Sequence, residues 1–226
     1  MSEFDGKVVV ITGAAGALGS ATAAHFADLG ARLALLDVVA IEGPHYSRVC
    51  DLIDAAACRE AVAAIESDVG SIEVLANIAG GFTMGEAVHE TTDETWDFMM
   101  NLNARTVLNM ARAVVPGMIE RGRGMIVNIG AGAGQHGVAQ LGAYSASKSV
   151  VIRLTESMSA ELKERGINVN CILPSVIDTP ANRKNMPDAD FNRWVRPEAM
   201  AEVITFLASN GAAPIHGAAL PVTGMS

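Results

Sequence analysis

The amino-acid sequence predicts a single-domain α/β fold over residues 1–226, with a doubly wound parallel sheet of about seven strands and helices on both faces. Seven short apolar runs, rich in β-branched residues, alternate with longer amphipathic stretches. Such runs are typical of strands that are buried on both faces of a parallel sheet. Because strands alternate with helices, we expect right-handed crossovers between parallel neighbours. No repeat or linker-like segment divides the chain, so one domain is expected.

The predicted strands are short and are bounded by Gly, Pro or polar residues. They cover residues 8–11, 32–36, 47–49, 74–78, 125–129, 167–173 and 218–222. The connection between the second and third strands is unusually short for a crossover. Its segment VVAIEGPHY contains Gly43 and Pro44 and shows no helical period, so we expect only a stub there in place of a helix.

The predicted helices are amphipathic, and several carry end signals. One begins at Thr92 after a polar cluster, and Pro116 is expected to kink or end it. Gly166 terminates the following helix, and Pro197 fits the first position of the last one. The five helical segments cover residues 16–29, 55–68, 92–121, 139–165 and 197–209.

Composition and charge argue against several classes of function. The net charge is −9 and no block of Lys and Arg stands out, so we expect no nucleic-acid binding and no attachment to an anionic membrane. The segment MSEFDGKVVVITG lacks the basic residues of a secretory signal, and no apolar stretch approaches the length of a membrane span. Cys50, Cys58 and Cys171 match no metal-ligand spacing, which predicts no metal site and three reduced thiols in a cytoplasmic protein.

The strongest local signal is the segment TGAAGALG at residues 12–19, which follows the first strand and opens the first helix. Its glycines permit a sharp turn and let the backbone approach a pyrophosphate, while the helix N-terminus adds unpaired N–H groups. A glycine-rich turn without a nucleotide is the alternative interpretation. We predict a Rossmann-type dinucleotide site, with contacts from Gly13, Gly16, Leu18 and Gly19.

The second strand ends in Asp37, eighteen residues beyond Gly19, close to the spacing of a ribose-binding acid. A carboxylate there accepts hydrogen bonds from the ribose 2′-hydroxyl and repels a 2′-phosphate. Arg32 lies at the other end of that strand and is badly placed to bind such a phosphate. We therefore predict that NAD(H) is preferred over NADP(H).

Further cofactor contacts are predicted where the third and fourth strands end. Asp51 follows the third strand and either lies near the adenine or caps the next helix. Asn77, Ala79 and Gly80 end the fourth strand, where small residues would let the backbone pass the cofactor.

Tyr144 and Lys148 lie four residues apart on a predicted helix, so their side chains should face one site. A free phenol has a pKa of about 10, and we expect the nearby ammonium to lower the pKa of Tyr144 toward neutral pH, where a general acid or base works best. Lys148 can also bond the nicotinamide ribose. The alternative is an exposed tyrosine and lysine on a helix face.

The segments TGAAGALG, NIAG, YSASK and LPSVIDT, in this order, resemble the short-chain dehydrogenase/reductase family across essentially the whole chain. The resemblance implies that Tyr144 is the catalytic acid/base, Lys148 its partner and Asn103 the asparagine of a proton relay. It also implies cofactor contacts from Pro174, Ile177 and Thr179. The chain departs from the family pattern at Ala17 and Ser175, which replace usual glycines.

The segment LPSVIDTPANRKNMPDADFNRW is similar to the corresponding part of quinoid dihydropteridine reductases, as are GALGS, DVV and AGGF. That subgroup also resembles this chain in its short second crossover. It likewise lacks a serine that the wider family places thirteen residues before the tyrosine, where this chain has Ala131. Asn103, in contrast, follows the wider family rather than the subgroup.

The absence of a serine at position 131 bears on the substrate. Losing one donor to a developing oxyanion costs about 10²–10³ in rate, and this loss matters least for an electron-poor acceptor. We therefore expect hydride transfer from NADH to an activated planar substrate such as a quinonoid dihydropterin, with Tyr144 as proton donor. The alternatives are a carbonyl reductase or alcohol dehydrogenase that uses Gln135 or His136 as the second donor, and a non-catalytic NAD(H)-binding sensor.

The segment after Thr179 bears on the substrate site. Met186, Phe191 and Trp194 form either an apolar wall for a flat ring or the contacts that pack this loop onto the domain. Residues 182–184 place polar and basic groups near the expected cofactor phosphates, or on a solvated face.

The expected partners are a small-molecule substrate and further copies of the same chain. The predicted helices at 92–121 and 139–165 carry apolar residues at helical spacing on more than one face. One face must cover the sheet, and the other predicts a homodimer or homotetramer formed through these helices.

Overall fold

In the computed structural model, which describes residues 2–225, seven parallel strands form one sheet in the order β3-β2-β1-β4-β5-β6-β7. This order confirms the predicted doubly wound arrangement, because the chain builds one half of the sheet outward from β1 and then the other half from β4. The strands are β1 Val8–Thr12, β2 Arg32–Asp37, β3 Tyr46–Val49, β4 Ile72–Asn77, β5 Gly124–Ile129, β6 Ile167–Pro174 and β7 Ala219–Val222.

The centre of the sheet is buried on both faces, as the apolar runs predict. Every residue of β1 and of β6 is buried, whereas the edge strands β3 and β7 are partly exposed. Residues 38–45, between β2 and β3, contain no helix, which confirms the predicted stub in the second crossover.

Helices cover both faces of the sheet. They are α1 Ala17–Asp28, α2 Ala55–Asp68, α3 Asp93–Met99, α4 Thr106–Arg121, α5 Gly142–Leu162, α6 Pro180–Asn185 and α7 Pro197–Leu207. On one face, α1 and α7 contribute Phe26 and Ile204 to a buried cluster with β1. On the other face, α2 and α4 contribute Ile65 and Met110 to a second cluster. Among the described residues, no helix has the length and apolar character needed to cross a membrane.

The prediction of one helix over residues 92–121 is wrong. α3 ends at Met99, a π-helical segment spans Met100–Arg105, and α4 begins at Thr106. Pro116 does not end α4, which continues to Arg121. Pro116 is exposed, so water can satisfy the one carbonyl that its missing N–H leaves unbonded. Helix α6 is not anticipated by the sequence pattern.

Candidate active site

A cleft of about 1330 Å³ lies beyond the carboxyl ends of the strands. In open α/β sheets, ligands bind in this crevice at the point where the strand order reverses, here between β1 and β4. Most small-molecule sites have a volume of about 300–1,000 Å³, and this cleft is larger. A dinucleotide and a second molecule therefore have room in it. Residues that follow six of the strands line it: Gly13, Val38, Cys50, Ile78, Gly130 and Ser175.

The glycine-rich loop forms one wall of the cleft, at the N-terminus of α1. Gly13 has a left-handed φ of 64°, and a Cβ there would lie 2.8 Å from the Ala79 Cα. A Cβ on Gly19 would lie 2.1 Å from the Gly13 carbonyl oxygen, so only glycine allows this packing. Gly16 is the N-cap residue and no side chain caps α1. The uncapped N–H groups and the helix dipole fit a pyrophosphate, and so the loop fits a dinucleotide.

Thr12, the last residue of β1, fixes the neighbouring loop, a role that the sequence reasoning did not assign. Its Oγ1 accepts hydrogen bonds from the N–H groups of Ile78 and Ala79, at 3.0 and 3.1 Å. The side chain thereby ties the end of β4 to the end of β1. A threonine directly before Gly13 at a buried strand end is the only signal of this in the sequence.

Asp37 lines the cleft at the end of β2. Its Oδ2 accepts a hydrogen bond from the Ala15 N–H in the glycine-rich loop at 3.0 Å, and its Oδ1 accepts one from the Val39 N–H at 3.3 Å. Arg32 begins the same strand and lies at the amino ends of the parallel strands, away from the cleft at their carboxyl ends. The carboxylate therefore faces the cleft with no arginine from its own strand beside it.

Asp51 also lines the cleft, and its position near an adenine stays a prediction. The capping interpretation is wrong for this residue, because the N-cap of α2 is Asp54, whose side chain accepts from the N–H groups of Ala56 and Ala57. Asp51 instead accepts a hydrogen bond from the Ile53 N–H at 2.9 Å.

Tyr144 lies near the start of α5 with its side chain against the cleft, and its ring contacts the Phe82 ring edge-on at a centroid distance of 6.1 Å. Burial raises the pKa of Tyr144 to about 12. The prediction that Lys148 lowers this pKa is therefore wrong: desolvation of the phenolate is the dominant effect. At neutral pH the phenol is protonated and can act as a proton donor.

Lys148 lies one turn further along α5 and is almost completely buried. Its ammonium donates a hydrogen bond to the Ile129 carbonyl oxygen at 2.8 Å. Burial lowers the pKa of Lys148 to about 8, because the charged form loses its hydration. The side chain lines the cleft next to Gly80, where a Cβ would lie 3.2 Å from its Nζ.

Asn103 lies in the π-helical segment and is buried rather than exposed to the cleft. Its amide clamps the loop after β4: Oδ1 accepts from the Gly81 N–H at 3.1 Å, and Nδ2 donates to the Gly81 carbonyl at 3.0 Å. Nδ2 also donates to the Ser147 Oγ of α5 at 3.0 Å. In this structure Asn103 joins the loop, the π-helical segment and α5.

Two further predicted cofactor residues do not line the cleft. Asn77 is buried in β4 and donates to the Asn128 Oδ1 of β5 at 2.8 Å. Thr179 caps the unpredicted helix α6 by accepting a hydrogen bond from the Asn182 N–H. The other predicted contacts do line it: Gly13, Gly16, Leu18, Gly19, Asp37, Asp51, Ala79, Gly80, Tyr144, Lys148, Pro174 and Ile177.

Ala131 lines the cleft after β5. Neither of the proposed substitute donors does so, since Gln135 and His136 are exposed on the following loop. The hypothesis that they replace a serine hydroxyl is therefore wrong. Tyr144 lines the same cleft and is the candidate proton donor there.

Apart from three charged residues, the lining of the cleft is mainly apolar. Met186 lines the cleft, which fits the first of the two interpretations of this segment, whereas Phe191 and Trp194 pack against each other outside it, with ring centroids 4.8 Å apart. Asn182 lines it, whereas the Arg183 guanidinium pairs with Asp178 at 2.6 Å. The charged residues that line the whole cleft are Asp37, Asp51 and Lys148. Further apolar lining comes from Phe82, Met84, Leu102, Leu141 and Val176.

Comparisons with known proteins agree with this geometry. The profile of the short chain dehydrogenase family matches residues 7–190. D-threitol dehydrogenase of Mycolicibacterium smegmatis is 34% identical over 242 residues, covering 98% of this chain and 93% of that protein. The 3-oxoacyl-[acyl-carrier-protein] reductase FabG of Thermotoga maritima is 32% identical over 241 residues, covering 98% of each. A crystal structure of levodione reductase is similar with a TM-score of 0.90 at 27% identity, covering 98% of both chains.

Proposed function

Because the chain belongs to the short chain dehydrogenase family, we propose that it is an NADH-dependent reductase of an activated planar acceptor, for which a quinonoid dihydropterin is the candidate. One observation carries the proposal: a protonated phenol, Tyr144, faces the cleft where Ala131 offers no second hydroxyl. Without a hydroxyl at position 131 to share the substrate oxygen with Tyr144, the site favours an acceptor that needs little further polarisation.

Different residues of the cleft would bind the cofactor and donate the proton. The glycine-rich loop and the N-terminus of α1 would bind the pyrophosphate, and Asp37 would accept hydrogen bonds from the adenosine ribose. Bound NADH supplies the hydride. Lys148, fixed on the Ile129 carbonyl, has further N–H donors for the nicotinamide ribose. Tyr144 gives its phenolic proton to the substrate atom that gains charge as the substrate is reduced.

The preference for NAD(H) over NADP(H) rests on charge at the adenosine end of the cleft. Asp37 and Asp51 both line it, and the single cationic side chain among the described lining residues is Lys148, beside Tyr144. A 2′-phosphate would therefore meet carboxylates without a compensating arginine.

A carbonyl reductase or alcohol dehydrogenase is the second candidate function. The names of the relatives favour it, since D-threitol dehydrogenase and the 3-oxoacyl reductase act on an alcohol and on an oxo group. The third candidate, a non-catalytic NAD(H)-binding sensor, is disfavoured because Tyr144 and Lys148 both line the cleft.

A substrate panel tests the proposal. NADH oxidation is followed at saturating NADH with quinonoid dihydropterin, with simple ketones, and in reverse with NAD⁺ and alcohols. Turnover of the quinonoid acceptor well above that of ketones supports the proposal. Turnover of ketones or alcohols alone favours the second candidate, and tight NADH binding without any turnover favours the sensor.

The proposed function includes assembly of the chain into a homo-oligomer through the helices at 92–121 and 139–165. Trp96 and Phe98 of α3 are 45% and 51% exposed, so the predicted helical interface carries apolar surface for a second copy. Light scattering after size exclusion tests whether the chain is a homodimer or homotetramer.

The three cysteines are buried and form no disulfide, which favours a reducing compartment such as the cytoplasm.

A further inference from the structure

A second cavity of about 220 Å³ adjoins the cleft beside the catalytic tyrosine. We call it the side chamber; it is lined by Thr83, Met84, Glu86, Thr91, Thr95, Gln140, Leu141, Gly142, Ala143 and Tyr144. Four of these residues also line the cleft, namely Thr83, Met84, Leu141 and Tyr144. A ligand whose reacting atom lies at Tyr144 can therefore extend a substituent into the side chamber.

Glu86 gives the side chamber its charge. Thr95, in the first turn of α3, donates a hydrogen bond from Oγ1 to the Glu86 Oε1 at 3.1 Å. The other carboxylate oxygen, Oε2, is inaccessible to solvent and accepts no hydrogen bond from any residue between 2 and 225. A carboxylate oxygen is an acceptor only, and leaving it buried without a donor is costly. The Glu86 carboxylate, whose residue lines the chamber, therefore has acceptor capacity that no residue between 2 and 225 fills.

The wall around Glu86 is fixed by backbone contacts between two loops. Gln140 is the one non-glycine residue of the described chain with a positive φ, at 62°. Its carbonyl accepts a hydrogen bond from the Gly85 N–H at 3.0 Å, and Glu86 forms an isolated β-bridge with Leu141. A strained residue that persists beside a cavity indicates that the surrounding structure requires this geometry. The backbone that carries Glu86 is thus held in place before a ligand arrives, and the Thr95 hydroxyl holds one carboxylate oxygen.

We propose that Glu86 is a specificity-determining residue, whose carboxylate turns to bind an N–H donor of the substrate while the atom that accepts the hydride lies at Tyr144. This inference rests on the proposed function, because it places the substrate of that reaction in the cleft. The chemical class is an amino, amidino or guanidino substituent on a flat ring. A carboxylate or phosphate substituent is excluded, because it would meet Glu86 without a compensating cation among the lining residues.

Ligand binding tests the inference without requiring turnover. Isothermal titration calorimetry is performed on protein saturated with NAD⁺, using pterin, which carries a 2-amino group, and 4-hydroxypteridine, which lacks it. A hydrogen bond to a charged group is worth about 10- to 100-fold in affinity, so the unaltered protein should prefer pterin by that factor. In Glu86→Gln the preference should fall by about tenfold, because a neutral amide oxygen is a weaker acceptor than a carboxylate, while affinity for 4-hydroxypteridine stays the same.

Glu90→Gln is the matched control, since Glu90 is exposed four residues away and does not line the side chamber. It should retain the full preference for pterin, and circular dichroism should show that both variants are folded. The inference is overturned if the unaltered protein binds the two compounds equally or binds neither, or if Glu86→Gln keeps the preference. If the protein prefers pterin but does not oxidise NADH, the proposed reductase is refuted and the role of Glu86 in binding stands. If the protein oxidises NADH with quinonoid dihydropterin but Glu86→Gln does not change the preference for pterin, the reductase stands and the role of Glu86 is refuted.

Discussion

Restoring the missing hydroxyl with Ala131→Ser should extend the enzyme to unactivated ketones. Ala131 lines the cleft and has an extended backbone with φ −163° and ψ 155°, which serine adopts without strain. It is also the N-cap residue of the turn Gly132–Gly134, which no side chain caps. A serine hydroxyl has one donor and two acceptor sites, so it can cap this turn and still donate to a substrate oxygen.

The size of the effect follows from that second donor. A donor aimed at a developing oxyanion is worth about 10²–10³ in kcat, or about 2.7–4 kcal/mol. We expect kcat for a simple ketone to rise by that factor, whereas the rate with a quinonoid acceptor should change little, because its reduction depends less on polarisation. Capping offsets the cost of burying the hydroxyl, so the melting temperature should stay close to that of the unaltered protein.

The assay compares NADH oxidation by cyclohexanone and by quinonoid dihydropterin at saturating NADH. Ala133→Ser is the control, because Ala133 also lines the cleft, two residues further along the turn. Ala133→Ser should leave both rates unchanged. The explanation of the substrate class by a missing oxyanion donor fails if Ala131→Ser does not raise the ketone rate, if it raises both rates equally, or if Ala133→Ser has the same effect.

Two further predictions concern cofactor choice and pH. Replacing Asp37 with Ser removes a charged hydrogen-bond acceptor worth about 1.5–3 kcal/mol. The ratio of kcat/KM for NADH to kcat/KM for NADPH, measured by initial rates, should therefore fall by about tenfold or more. An unchanged ratio would show that Asp37 does not face the ribose. Because Lys148 loses its proton near pH 8 and Tyr144 keeps its proton to about pH 12, kcat/KM for NADH in the reductive direction should be level below pH 8 and decline above it. A reductive rate that instead rises between pH 8 and 10 would contradict this assignment of charges.

The alternation of strands and helices predicts the sheet well, because burial on both faces leaves a direct record in the apolar runs. The glycine-rich loop is also recognisable, because a Cβ on residue 19 would lie 2.1 Å from the Gly13 carbonyl oxygen and the backbone therefore needs glycine there. Asp37 is recognisable from its spacing to that loop. The long helix predicted over 92–121 fails at the π-helical segment, whose extra residue per turn has no clear signature in amphipathic periodicity.

Side-chain environments are harder to predict than elements. The spacing of Tyr144 and Lys148 indicates one shared site, but it gives no measure of burial, which raises the pKa of the phenol rather than lowering it. Asn77 cannot be distinguished from a ligand contact by its position, because its partner Asn128 comes from a strand 51 residues away. Glu86 has no motif around it, and its chamber forms only when residues 140–143 pack beside it.

The role of Tyr144 as proton donor is tested by the single-turnover rate of NADH oxidation in Tyr144→Phe, measured by stopped flow with quinonoid dihydropterin. The variant keeps the ring that contacts Phe82 and removes only the proton donor, so NADH binding measured by fluorescence should be unchanged. We predict a loss of about 10²–10⁴ in the rate of the chemical step, the usual contribution of a general acid. A rate equal to that of the unaltered protein would show that another group donates the proton.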